Sequence, residues 1–273
     1  MARYLLAILT AAAACPAEAP VAADIVNRAL SADRTNFERI RNYTMVENRL
    51  EQQLDGSGNV KSSKRNTYDI LFIEGKRYDR RIARDGKPLS AEDDRKEQKK
   101  LEEFSEKQRE RSARDRAKDI ESERRERAEL MSLLPSAFDF HLRGEEVLDG
   151  RQVYKIDAVR RPGFKPKNKK AEVFSKLQGT LWIDSEEYII VRADVEIMEP
   201  VSFGFFIAKL SPGARVKFEQ TRVNNEVWLP KLFDLRADVR ILGKQNRLHA
   251  ETQMSNYRKF SAESKVLSVS EPE

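Results

Sequence analysis

The chain of 273 residues has a single cysteine, Cys15, and two histidines, His141 and His249. One cysteine cannot form an intrachain disulfide, and a metal site built on several thiolates is excluded. The histidines are far apart in the sequence without a nearby motif, so each is interpreted as a surface or hydrogen-bonded strand residue. The sequence also lacks a Gly-x-Ser-x-Gly elbow, a phosphate-binding glycine loop and the spacing of a calcium-binding loop. These absences predict a protein that is not an enzyme and has no metal or cofactor.

The first residues have the composition of a secretory signal peptide. Arg3 precedes an apolar, alanine-rich stretch that has the length of a signal-peptide core and is too short to span a bilayer. We expect a signal peptide over 1–19, with its end between 14 and 23. A cut before Cys15 would make this cysteine the lipidated first residue, whereas an ordinary cut would fall after Ala19 or Ala23. The predicted location is the periplasm, or the outer membrane if Cys15 carries a lipid.

After this segment, the pattern changes from one helix to many strands. An amphipathic helix is predicted over 24–41, capped by Asp24, with Ile25, Ala29, Phe37 and Ile40 on one face. About ten strands follow, separated by turns rich in glycine, asparagine and aspartate, and this spacing predicts an antiparallel meander. The predicted strands cover 43–54, 60–73, 76–84, 137–148, 152–160, 177–184, 188–199, 214–223, 227–242 and 245–260. A sheet of this size usually curls.

Two of these strands alternate strictly between apolar and charged residues. The apolar residues predicted to share one face are Ile189, Val191, Ala193, Val195 and Ile197 in one strand, and Phe233, Leu235, Ala237, Val239 and Ile241 in the other. Charged residues such as Arg192 and Asp234 occupy the opposite face. A period of two with one polar face predicts a sheet that is packed on one side only.

A charged segment interrupts the strands. Residues 90–129 contain neither glycine nor proline, and 85–129 contain 14 basic and 15 acidic residues. This composition favours an exposed helix or helical hairpin, with Ser90 and Asp93 in an N-cap pattern. The near balance of charge predicts no nucleic-acid binding. The segment is interpreted either as a solvated excursion or as an arm that binds another envelope protein.

Four short motifs carry a resemblance to a known family. They are GTLWID at 179–184, IVR at 190–192, VKFEQ at 216–220 and VWLP at 227–230. With the signal peptide, the first helix and the meander, they resemble the periplasmic lipoprotein-sorting proteins of the LolA/LolB type. The resemblance implies a curved antiparallel sheet that forms an incomplete barrel, whose apolar concave side is covered by helices and takes up acyl chains. It identifies no specific binding residue.

The resemblance also suggests a division of the chain. Residues 24–87 and 138–260 would form one β domain of the LolA type, interrupted by the helical insertion at 88–132. Residues 261–273 would form a C-terminal tail.

Within this expected fold, apolar strand residues are the candidates for contact with a ligand. The predicted lining residues are Trp182, Val191, Val195, Phe218, Phe233, Leu235 and Val239. Phe203, Phe205 and Phe206 crowd a connection between strands and form either a gate at the mouth of a cavity or ordinary core. The lysine-rich loop at 162–176 either contacts anionic lipid headgroups at a membrane surface or is simply solvated.

These features lead to two functional hypotheses. The first is an exported cell-envelope protein that binds or transfers an apolar or acylated ligand, a lipoprotein or a lipid. The second is a lipid-tethered interaction protein, without catalytic activity, that uses 90–129 to bind a partner.

Overall fold

The computed structural model describes residues 21–166, 171–203, 208–241 and 244–260. The predicted signal peptide and the tail at 261–273 lie outside the described residues. The helices are α1 (Ala22–Ile40), α2 (Ala91–Glu110), α3 (Ala113–Met131) and the single turn α4 (Leu134–Ala137). A 3₁₀ helix, Ala171–Lys176, occupies part of the segment that was predicted to be only a loop.

The described residues contain thirteen strands rather than about ten. Their bounds are β1 (Tyr43–Leu54), β2 (Val60–Ile73), β3 (Lys76–Arg84), β4 (Lys87–Pro88), β5 (Phe138–Leu148), β6 (Arg151–Arg160), β7 (Leu177–Asp184), β8 (Ile190–Ile197), β9 (Val201–Phe203), β10 (Ala208–Leu210), β11 (Arg215–Val223), β12 (Val227–Ile241) and β13 (Lys244–Lys259). The additional strands are the short β4, β9 and β10, which are too brief for an alternating pattern to reveal.

All thirteen strands belong to one antiparallel sheet. Eleven of them follow the order β4-β3-β2-β1-β13-β12-β11-β8-β7-β6-β5, and the short β10 pairs with β12 and with β9. Most neighbours are consecutive in the chain, so the predicted meander is confirmed. The main departure is β13, which returns to pair with β1 and joins the first strands to the rest. In the described part of the chain the sheet ends at β4 and β5 without closing, as an incomplete barrel requires.

Helix α1 covers one part of the sheet. Its buried side chains Ile25, Val26 and Ala29 pack against Ile156 of β6 and Ile183 of β7. The prediction that Asp24 caps this helix is wrong, because Val21 stands at the N-cap position without a side-chain hydrogen bond. Asp24 lies within the first turn, where its charge is favourable near the helix N-terminus. We call the side of the sheet that carries α1 the helix face and the other side the polar face.

A β-bulge corrects the predicted alternation of β8. Trp182 pairs with Arg192, but the next residue, Ile183, pairs with Ile190, so Val191 is an extra residue in β8. A bulge reverses the side on which the preceding residues point. Ile190 therefore packs with Ile183 under α1, whereas Val191 packs with Trp182 on the polar face. The prediction that Ile189 and Val191 share a face with Ala193, Val195 and Ile197 is wrong for this reason.

The charged insertion forms a helical hairpin that is docked on the rest of the chain. The predicted cap is confirmed, since the Asp93 amide donates to Ser90 Oγ at 3.1 Å. Phe104 of α2 packs on Tyr78 of β3 with ring centroids 4.8 Å apart. On α3, Arg127 binds Asp33 of α1 at 2.7 Å. The hairpin is therefore held by both the β3 side of the sheet and α1.

Candidate apolar ligand site

A band of apolar side chains crosses the centre of the helix face. In the strand register, Ala193, Phe218 and Phe233 stand side by side in one row, and Val195, Val216 and Leu235 stand in the adjacent row. The two rows belong to β8, β11 and β12. Leu181, which pairs with Ala193, packs under α1, so these rows lie on the helix face. We call these six residues the apolar strip.

The register of the strip is set by the turn between β11 and β12 together with a bulge in β12. Asn224 and Asn225 both adopt positive φ, at 51° and 56°. Asparagine tolerates this conformation better than most residues, and two successive positive φ values match the twist of a tight hairpin. Farther along β12, the extra residue Lys231 forms a bulge that shifts the register by one and places Phe218 directly opposite Phe233. The two rings form a cross-strand pair, the unit from which a sheet face gains much of its stability.

The cover over this face is uneven. Under α1, Ile156 and Ile183 are fully buried. In the strip, by contrast, Val195, Val216, Phe218 and Leu235 are only partly buried, and Phe233 keeps 37% of its surface exposed. The strip is thus an accessible continuation of the core beneath α1.

The predicted lining residues divide between the two faces. Val195, Phe218, Phe233 and Leu235 belong to the strip. Val239 lies on the same face but is 4% exposed, in a core cluster with Val201 and Ala237. The remaining two, Trp182 and Val191, lie on the polar face because of the bulge in β8.

Trp182 is held in its place by charged neighbours. The Arg192 guanidinium lies 4.5 Å from the indole ring centroid and the Lys155 ammonium lies 5.3 Å from it. The indole Nε1 donates to Glu146 Oε1 at 2.5 Å. These contacts bury the indole and satisfy its polar group, so Trp182 acts as a structural residue of the polar face.

Of the three predicted gate residues, one lies within the described part of the chain. Phe203 is the last residue of β9, where its backbone pairs with that of Ala208 in β10. Strand β10 in turn pairs with β12, with Leu210 opposite Val239. Strands β9 and β10 therefore belong to the sheet beside β12. Phe205, Phe206 and the predicted lipidation site Cys15 lie outside the described residues.

A ring of charges lies on the same face beyond the strip. Thr252 separates Phe233 from Arg49 in the row of paired residues. Arg49 and Arg77 each bind both Glu47 and Asp79, with Arg77 at 2.7 Å from an oxygen of each acid. Burial alone would raise the pKa of Asp79, but hydrogen bonds from the two arginines outweigh it and lower that pKa. The ring is balanced in charge and limits the apolar surface on this side.

The polar face carries a groove with a volume of about 760 Å³ that crosses β7, and half of its lining residues are charged, most of them from β8, β11 and β12. Asp234 and Glu251 are among its lining residues, and His249 binds Asp234 at 2.6 Å. The sequence interpretation treated His249 as an isolated residue and missed this cluster. The signal was present in the pairing of β12 with β13, which sets Asp234 opposite Glu251 and places His249 two positions away.

Among the described residues, no helix is long and apolar enough to cross a membrane. No family model matches the chain, and no curated protein matches it in sequence.

Several solved structures are similar to the chain. One is a domain assigned to outer membrane lipoprotein sorting from Vibrio parahaemolyticus, 9% identical, with 88% of this chain and 95% of that chain covered at a TM-score of 0.37. A LolA superfamily protein from Nitrosomonas europaea is 10% identical, with coverages of 89% and 94% and a TM-score of 0.30. The lipoprotein LppX of Mycobacterium tuberculosis is 11% identical, with coverages of 86% and 93% and a TM-score of 0.29. The predicted resemblance to LolA-type structures is thus confirmed; these TM-scores lie below 0.5, and the matches concern the fold alone.

Proposed function

We propose that the chain is an exported cell-envelope protein that holds an apolar or acylated ligand, such as a lipid or the acyl chain of a lipoprotein, on the apolar strip. The observation that carries the proposal is the exposed Phe233, which lies opposite Phe218 on a strip continuous with the core under α1. A location in the periplasm, or at the outer membrane through a lipid on Cys15, is supported by the signal-peptide composition of the first residues.

The energy of binding comes from removing apolar surface from water. An acyl chain that covers about 200 Å² of the strip would gain about 5 kcal/mol, at roughly 25 cal/mol per Å². The ligand's own buried surface adds to this, and the loss of its freedom on binding subtracts from it. A reversible complex that can hand over its ligand fits these opposing contributions.

The charges around the strip argue against strong headgroup selectivity. The arginines of the charged ring, Arg49 and Arg77, are already paired with Glu47 and Asp79. An anionic headgroup would have to displace these carboxylates. We therefore expect acyl chain length to affect affinity more than headgroup charge does.

A partner-binding role for the helical hairpin has less support. Its aromatic residue, Phe104, packs within the chain, and Ile120 lies against Gly75. The rest of its surface is charged and solvated. We infer that the hairpin serves first to cover the β3 side of the sheet.

The proposal is tested by titrating the chain with a dansyl-labelled C16 fatty acid and with the corresponding labelled alcohol. Both should bind with similar affinity. Phe233→Asp should abolish binding, because a charge in the strip opposes an acyl chain, whereas Phe233→Leu should retain it. Val147→Asp is the matched control, since Val147 is also an exposed apolar strand residue, at 64%, but lies on the edge strand β5.

Circular dichroism verifies that each variant is folded. Binding that survives in folded Phe233→Asp, or that is lost equally in Val147→Asp, would contradict the proposed site.

A further inference from the structure

On the polar face, three potential metal ligands meet between β12 and β13. Asp234 and Glu251 are directly paired, and His249, which pairs with Arg236, projects from the same face. One oxygen of each carboxylate and one nitrogen of the imidazole all lie within 4.8 Å of one another. The side chains of Asp234 and His249 are only 16% and 15% exposed, so the cluster is sheltered from solvent.

Both ring nitrogens of His249 face oxygen acceptors. Nε2 lies 2.6 Å from Asp234 Oδ2, and Nδ1 lies 3.2 Å from Gln52 Oε1. A neutral imidazole carries one N–H, so it can donate to only one of these oxygens. With the proton on Nδ1, the Nε2 lone pair points at a carboxylate, an arrangement that a cation between the two would stabilise.

The other polar atoms of the cluster are held by neighbours. Arg236 Nε lies 3.4 Å from Asp234 Oδ1, and Gln253 Nε2 donates to Glu251 Oε1 at 2.8 Å. Each carboxylate therefore has one oxygen engaged outside the cluster and the other available to it. Outer hydrogen bonds of this kind orient ligands in metal sites. The nearby cation Lys217, opposite Asp234, is itself bound to Glu219 at 2.7 Å.

We propose that Asp234, His249 and Glu251 bind a divalent transition-metal ion, with Zn²⁺ as the representative. One imidazole and two carboxylates supply three ligands of a tetrahedral site, and the fourth position is left for water or an added ligand. Both carboxylates line the groove of about 760 Å³, so that position is reached from the groove. Ligand atoms around a tetrahedral zinc lie about 3.4 Å apart. The ion therefore requires a small movement that separates His249 Nε2 from Asp234 Oδ2, which lie 2.6 Å apart.

The test is a zinc titration of the untagged chain carrying Cys15→Ser, followed by calorimetry and native mass spectrometry. We expect one zinc ion per chain. His249→Gln and Asp234→Asn should each abolish binding, and Gln52→Ala should weaken it by about 10- to 100-fold as the loss of an outer hydrogen bond. His141→Gln is the matched control because His141 is the only other histidine and is exposed on β5; it should bind zinc normally.

Circular dichroism in the presence of a chelator establishes that the variants are folded, and Glu251→Gln provides a third ligand variant that leaves the His249–Asp234 contact in place. The proposal is overturned if the parent chain binds no zinc, or if His249→Gln and His141→Gln bind alike. Calcium and magnesium should bind at least about 10-fold more weakly, because imidazole favours later transition metals. Equal binding of calcium would refute a transition-metal site.

Discussion

Replacing Asn36 with alanine should destabilise the contact between α1 and β12. The Asn36 side chain donates through Nδ2 to the Trp228 carbonyl at 2.8 Å and accepts through Oδ1 from the Trp228 amide at 2.8 Å. Strand β13 pairs with β12 only from Leu232 onward. At Trp228 the asparagine side chain therefore takes the place of the neighbouring strand.

The magnitude follows from the two backbone groups that lose their partner. Asn36 and Trp228 are 7% and 5% exposed. A buried polar group left without a hydrogen bond costs about 1–3 kcal/mol, so Asn36→Ala should lose about 2–5 kcal/mol of unfolding free energy. The higher helix propensity of alanine offsets only about 0.5 kcal/mol of this loss in unfolding free energy. For a chain of this size, the melting temperature should fall by about 5–15 °C.

Thermal and urea unfolding, followed by circular dichroism, measure this loss. Asn27→Ala is the matched control, because Asn27 lies on the exposed side of the same helix. That variant should be as stable as the parent chain or slightly more stable. The reasoning is refuted if Asn36→Ala and Asn27→Ala unfold at the same temperature.

Two further substitutions test other contacts. Gly179→Ala should destabilise the β7–β8 pair by about 1–3 kcal/mol in urea unfolding, because its Cβ would overlap the Asp194 backbone oxygen, whereas Gly56→Ala meets no atom within 4 Å and should be tolerated. Arg151→Met should cost about 3–5 kcal/mol at neutral pH by leaving the buried Asp184 carboxylate without its cation. Burial would raise the pKa of Asp184, but hydrogen bonds from Arg151 and the adjacent backbone lower it. The parent chain should therefore lose this stability as the pH falls below about 4. The variant should lose less stability over that pH range. A steeper acid dependence in the variant would contradict this assignment.

The long strands and the helices were predictable because each has a regular local signal. The bounds of β1, β2 and β3 coincide with their predicted ranges, since a glycine-containing turn follows each of these strands. Helix α2 begins after the predicted Ser90 cap, and the residues that follow this cap are mostly strong helix formers. Local propensity and pattern agree in these elements.

Features that depend on contacts across the sheet were not predictable in the same way. The extra residue Val191 continues the alternation in the sequence, and only its pairing with β7 reveals the bulge. Asn36 looks like an ordinary surface residue of an amphipathic helix until the edge of β12 is placed beside it. The cluster around His249 can be recognised only when the register of β12 and β13 is known, because that register brings together residues that are distant in the sequence.

The docking of the helical hairpin has a similar origin. Its sequence is almost uniformly charged and carries too few apolar residues to predict a contact surface. The position of α3 is set instead by ion pairs to distant elements, such as Arg124 with Glu38 of α1 and Arg116 with Glu74 beside β3. Single exposed ion pairs contribute little, so the arrangement depends on several of them together with Phe104.

Native mass spectrometry of the chain, purified without detergent from the cells in which it naturally occurs, tests the proposed ligand most directly. The account predicts a co-purifying mass of acyl-chain size that is lost in Phe233→Asp and kept in Val147→Asp. A chain that emerges without any bound mass, and that also fails to take up added phospholipid or acylated peptide, would contradict the apolar strip as a ligand site.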